Sequence, residues 1–232
     1  MVSARSQDSW FVRSSSEAVT RHPAPCLLSP VTAGLDPHLA TMACALPVGD
    51  VNGALRDAAA LQPPPDGTLA GVLAHDPFRR TRDLLDELAA RGVRRIANWP
   101  SVTSLSGELA AALEHSGFTY DQEIDLLRQA RATGFRVAPV VHTHEHLELA
   151  LALEPEQIVV TPGLSTADAR ERRRQGEAAT DLARTARQRS GAPVWLHLHP
   201  GFADWLEEIV PADVGVLRHT AGSPGTEAGR RG

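Results

Sequence analysis

The chain has 232 residues, 42% hydrophobic and 22% charged, with a net charge of −5. That is enough apolar material for one sizeable core, and the acidic balance with few aromatics argues against a nucleic-acid partner. All 23 basic residues are arginine, which excludes Schiff-base catalysis through lysine and a lysine-bearing phosphate loop.

In chain order, WFVR at 10–13 is a short candidate strand. Seven further apolar runs follow: PCLLSP at 25–30, TLAGVLA at 68–74, RRIAN at 94–98, RVAPVV at 136–141, QIVVT at 157–161, PVWLHL at 193–198 and VGVLRH at 214–219. They are short and continuous, as parallel strands buried on both faces are. Amphipathic segments lie between them. Leu84, Leu85 and Leu88 share one helical face, and Ile124, Leu127 and Ala130 another. Gly92 and Gly134 stand where helix ends need glycine. The arginine-rich segment 165–191 reads as a long helix with a solvated face.

Strands alternating with helices predict an α/β fold with a parallel sheet, a (β/α)8 barrel with a reduced N-terminal strand region. The expected domain covers 1–220, with a disordered tail over 221–232. An open doubly wound sheet is the alternative, but no G-x-G-x-x-G follows a strand. No apolar run reaches the ~18 residues of a membrane span, and MVSARSQDSWFVRSSS lacks the apolar core of a secretory signal. With only Cys26 and Cys44, the expected location is cytoplasmic.

Polar residues collect after the strands: His75-Asp76, Asn98, His142-Thr143-His144, Thr161-Pro162-Gly163, His197-Leu198-His199 and His219-Thr220. In a βα barrel the chemistry gathers at these ends. Good helix N-caps also belong there, but histidine is not one.

The runs GVLAHDPFRR, IANWPSV and LEHSGFTYDQEIDLLRQAR carry a resemblance. They are similar to the phosphoenolpyruvate hydrolase-like TIM-barrel family, which itself resembles the C-terminal half of a plant tobamovirus-resistance protein. Asp76, Pro77 and Phe78 match the family's T-D-P-F run, and Asn98, Pro100 and Val102 its Q-N-F-P-T-V run. Glu114, Gly117, Tyr120 and Glu123 match E-E-T-G-M-G-Y-x-x-E-V, and Gly49, Asp50 and Asn52 match G-D-A-N. The likeness runs from about Ala45 to His199. Thr161 stands where the family has histidine, and Leu198 and His199 replace glycines that would admit an anion close to the backbone. The resemblance implies a TIM barrel and an enolpyruvate or phosphorylated acid as ligand, with Mg²⁺ as cofactor.

On this basis Asp76, Glu123 and His197 are the catalytic candidates, and Asp76 and Glu123 the metal candidates. Asp50, Asn52, Asn98, Tyr120, His142 and Gly163 are the substrate-binding candidates. Each has a structural alternative. Asp76 would cap a helix that starts at Pro77; Asp50 and Asn52 would cap the helix ending near Leu61; Tyr120 and Glu123, at i and i+3, would pack a helix onto the sheet. In VVHTHEH at 140–146, His142 and His144 could ligate a metal with His197 and His199, making zinc the alternative cofactor. The competing reading makes Thr143 an N-cap, with His142 facing a pocket and His146 on a solvated turn. The leading function is a barrel that binds a small anionic acid, with a non-catalytic sensor and a zinc hydrolase as alternatives. A homo-oligomer is open.

Overall fold

The computed structural model describes residues 9–13, 26–46, 48–198 and 201–219; the expected tail over 221–232 lies outside them. Nine strand segments form one all-parallel sheet: β1 (Ser9–Arg13), β2 (Cys26–Leu28), β3 (Leu69–Val72), β4 (Arg95–Asn98), β5 (Arg136–Val137), β6 (Val140–Val141), β7 (Ile158–Val160), β8 (Val194–Leu198) and β9 (Gly215–Arg218). The order is β5-β4-β3-β2-β1-β9-β8-β7-β6. The WFVR run is thus a true strand, pairing with β2 through Val12↔Leu27 and with β9 through Trp10↔Leu217.

The helices among the described residues are α1 (Pro30–Ala33), α2 (Pro37–Met42), α3 (Val51–Leu61), α4 (Thr81–Ala90), α5 (Gly107–His115), α6 (Tyr120–Ala132), α7 (His144–Leu151), α8 (Ala169–Ser190) and α9 (Ala203–Ile209). The expected amphipathic faces are the buried ones: Leu84, Leu85 and Leu88 on α4, and Ile124, Leu127 and Ala130 on α6. Gly92 takes φ +83° just past α4, a conformation that costs a side-chain-bearing residue.

Strand side chains alternate between two environments, as period-two geometry requires. Cys26 and Leu28 join a core with α3, α4 and α6, while Leu27 joins a second cluster with Val12, Leu69, Ala97, Val140, Val159, Trp195 and Leu217. A third core seats α7, α8 and α9 on β6–β9. Burial on both faces explains why the strands read as unbroken apolar runs.

The run RVAPVV forms two segments rather than one strand. Pro139 has no N–H, so it cannot continue the ladder. Before it, the Ala138 N–H bonds to the Ile96 carbonyl of β4; from it onward, the Pro139 carbonyl accepts from Val159 of β7. The Val140 N–H donates to the side-chain Oδ1 of Asn98 at 2.8 Å. The amide of Asn98 thus replaces a missing ladder bond at the seam between β4 and β6.

Truncation of Asn98 should expose the importance of that seam. Asn98→Ala strands the buried Val140 N–H and removes a donor from Glu123, and is expected to cost about 3 kcal/mol. Urea unfolding would measure it; a loss below about 1 kcal/mol would show that the seam does not need this amide.

Candidate ligand site at the strand ends

The polar strand ends divide between a closed centre and two pockets. At the centre, Trp99 is buried and bonds through Nε1 to Thr32 Oγ1 at 3.1 Å, and Thr32 Oγ1 donates to Ser29 Oγ at 2.6 Å. His197 is fully buried and meets the Trp99 ring edge-on at 4.9 Å. Catalytic candidate His197 therefore packs inside rather than lining either pocket. Its neighbour His199 lies outside the described residues.

Glu123 is fully buried at the start of α6. Its Oε2 accepts from Asn98 Nδ2 and Ser101 Oγ, both at 2.6 Å, and its Oε1 from the Val102 N–H at 2.8 Å. Burial drives its carboxyl up to about 7, against the three donors that favour the charged form. Catalytic candidate Glu123 and substrate candidate Asn98 thus form an internal network that ties α6 to the loop after β4. The strand-end candidates are thus separated: Asp76 lines one pocket and Tyr120 another, while Asn98, Glu123 and His197 are buried and line neither. Tyr120 and Glu123, at i and i+3, share one face of α6; Tyr120 lines the pocket beside α7, while Glu123 reaches the loop after β4.

The first pocket, ≈ 440 Å³, lies at the N-terminus of α3 and the turn after β3. Asp50 caps α3 through the Gly53 N–H at 2.8 Å and holds Arg79 with two bonds of 2.6 Å, so the guanidinium keeps its carboxyl below the usual range. Asn52 is buried and exchanges two 2.9 Å bonds with the Leu73 backbone, and its Nδ2 also donates to Asp76 at 2.8 Å. Asp76 accepts from the Phe78 N–H at 2.7 Å and from Arg79 at 3.4 Å. It caps a turn, and α4 begins only at Thr81; Pro77 fixes the turn without starting a helix.

The second pocket, ≈ 540 Å³, opens where α6 and α7 begin, and Tyr120, His142 and His146 line it. Thr119 caps α6 through the Gln122 N–H, and Thr143 caps α7 through the His146 N–H at 3.2 Å. The N-cap reading of VVHTHEH therefore describes this turn, but its His146 is not solvated. It is half-buried against the Tyr120 ring, centroids 4.3 Å apart, and burial with the adjacent His142 lowers its pKa to about 4. Tyr120 is buried, its pKa raised by that burial and by Glu123, and its hydroxyl has no hydrogen-bond partner within the protein. His142 Nδ1 donates to the Thr161 carbonyl at 2.9 Å, which leaves Nε2 as the ring's other polar atom. Gly163 takes φ +81° beneath it; a Cβ there would stand 3.1 Å from His142 Cε1. Phe118 lines both pockets and stacks on His75 at 4.9 Å. His146, Phe118 and His75 were not singled out as site members by pattern. The helix-start reading of Thr143 places His146 on α7 but on its solvated side, and the packing of Tyr120 against it is what brings it to the pocket.

The donors do not suit Mg²⁺ held by Asp76 and Glu123. The Glu123 oxygens are filled by protein donors inside the core, Asp76 stands beside the Arg79 cation, and the two share no partner. For zinc, His144 is exposed on α7 while His197 is buried. Among the described residues no group of three or more His, Cys, Asp or Glu side chains converges as a metal needs.

A family model described as phosphoenolpyruvate hydrolase-like matches residues 38–192, more than half of the chain. The Sinorhizobium fredii protein y4oT is 44% identical over 84 residues, which are 36% of this chain and 43% of that protein. The tomato (Solanum lycopersicum) ToMV resistance protein Tm-1(GCR237) and ToMV susceptible protein tm-1(GCR26) are each 31% identical over 98 residues, 42% of this chain. The chain spans less than half of y4oT and 13% of the tomato proteins.

The raised carboxyl of Glu123 fixes a sign for stability against pH. The fold binds the proton more tightly than the unfolded chain, so its contribution is complete below the ordinary value of 4.5 and is lost as pH rises through about 7. The lowered His146 acts oppositely, losing stability as pH falls from 6.5 toward 4. The difference between the parent protein and Glu123→Gln isolates the first effect. Relative to the variant, the parent should lose on the order of 3 kcal/mol between pH 4.5 and 7.5. Denaturant midpoints that run parallel across that window would contradict the assignment.

Proposed function

The chain belongs to the phosphoenolpyruvate hydrolase-like family, and from that premise we propose that it binds a small enolpyruvate or phosphorylated acid in the pocket between α6 and α7. The observation that carries this is the buried Tyr120 hydroxyl, without a partner in the protein, beside two helix N-termini. A buried hydroxyl without a partner costs free energy that a ligand oxygen recovers. The first-turn N–H groups of α6 and α7 left over by Thr119 and Thr143 carry partial positive charge. The neutral ring of His146 completes the polar wall. Glu114, Asp121 and Glu145 sit exposed at the rim, where solvent weakens their field.

On this reading the sheet closes as a (β/α)8 barrel, β5 and β6 being two halves of one strand. Closure is supported by the bonds of 136–141 to β4 on one side and β7 on the other. It is also supported by the cluster that draws side chains from β1–β4, from Ala138 and from β6–β9. A second reading, a sensor that binds without turnover, is supported by the carboxylates of Asp76 and Glu123 being engaged in structural bonds.

Calorimetric titration with phosphoenolpyruvate and with pyruvate tests the site. Tyr120→Phe should weaken binding about tenfold, the loss of one hydrogen bond to a charged ligand. It should leave the melting temperature unchanged or higher, because no protein partner is lost. Equal affinities for parent and variant, or no binding of either acid at millimolar concentration, would end this proposal. Phosphate release from phosphoenolpyruvate separates the enzyme from the sensor.

A further inference from the structure

We propose that the ≈ 440 Å³ pocket at the start of α3 is a second ligand site, for a planar, uncharged or singly cationic heteroaromatic molecule that offers N–H donors. The inference is independent of the acid site between α6 and α7. The volume lies within the ~300–1,000 Å³ of small-molecule pockets, which are mostly apolar with a few placed polar groups. Leu46, Phe78 and Phe118 supply apolar wall, and Phe78 is 71% exposed, a large aromatic surface left to water. Phe118 is held in place by the His75 ring stacked on it at 4.9 Å. Aromatic faces beside an open cavity favour a stacked ring.

The polar side of the pocket sets the ligand's sign. Asp76 has a side chain 7% exposed, and it lines the pocket with Asn52. Its oxygens accept from Asn52, Phe78 and Arg79; a carboxylate has acceptor sites for about four donors, so one remains for a ligand N–H. Asp50 and Asp76 against Arg79 leave one net negative charge, which repels an anion and tolerates a neutral molecule or a monocation. The Cys44 thiol is pushed up to about 12 by burial, so it acts as wall and not as a nucleophile.

The test uses two probes of similar shape, 2-aminobenzimidazole with its N–H donors and 1-methylindole without any, titrated by ligand-observed NMR into the full chain. We expect 2-aminobenzimidazole to bind at least tenfold more tightly than 1-methylindole. Phe78→Ala, at an exposed side chain that does not endanger the fold, should weaken it at least tenfold, and Asp76→Asn should abolish the preference between probes. Tyr120→Phe should leave probe binding as in the parent, so that failure of the acid site and failure of this one are read separately. Equal affinity for the two probes, or parent-like binding by Phe78→Ala, would overturn the proposal.

Discussion

A single buried amide holds the centre of this molecule. Asn98 ends β4 with no exposed surface, its Oδ1 bonded to the Val140 N–H and its Nδ2 to Glu123. The chain needs this amide because Pro139 interrupts the strand that would pair with β4, and a buried N–H without a partner is costly. The same side chain then anchors Glu123, which draws α6 onto the loop after β4 through Ser101 and the Val102 N–H. Tyr120 and Thr119 open α6, so the position of the candidate acid site follows from the repair of one strand break.

Charge is handled differently inside and outside. Inside, Glu123 sits at the edge of ionisation, its burial opposed by three donors. On the surface, arginine pairs with acids at short spacing, as in Arg173–Glu177 and Arg174–Glu171 on α8; each such pair is worth only ~0.3–0.5 kcal/mol. Glu156 has a more specific role. Arg95 and Arg136 stand opposite each other across β4 and β5, and Glu156 bonds both, relieving a like-charge repulsion built into the register. Among the described residues no helix is long and apolar enough to cross a membrane.

Trp99, His197 and Thr32 pack together in the interior at the strand ends. Two pockets open at the starts of α3, α6 and α7. Thr161 is fully buried, and its hydroxyl accepts from the Gly163 N–H while its carbonyl holds His142. The residue orients a pocket side chain and supplies no acid–base group of its own.

The strands and helices were legible in the sequence because each depends on local periodicity. Runs such as IVV and VWLHL are buried on both faces, and Leu84, Leu85 and Leu88 turn inward on one helix face. The Thr143 cap was legible for the same reason, since a cap bonds within one turn. Which polar residues meet was not legible. Asn98 and Glu123 are separated by 25 positions and His75 meets Phe118 across two helices, so their contacts depend on how elements pack. The burial of His146 under Tyr120, the filling of the centre by Trp99 and the division of the candidate residues between two pockets are all set by distance in space. Side-chain identity gives each group its chemistry; only packing decides whether water, a neighbouring donor or a ligand satisfies it.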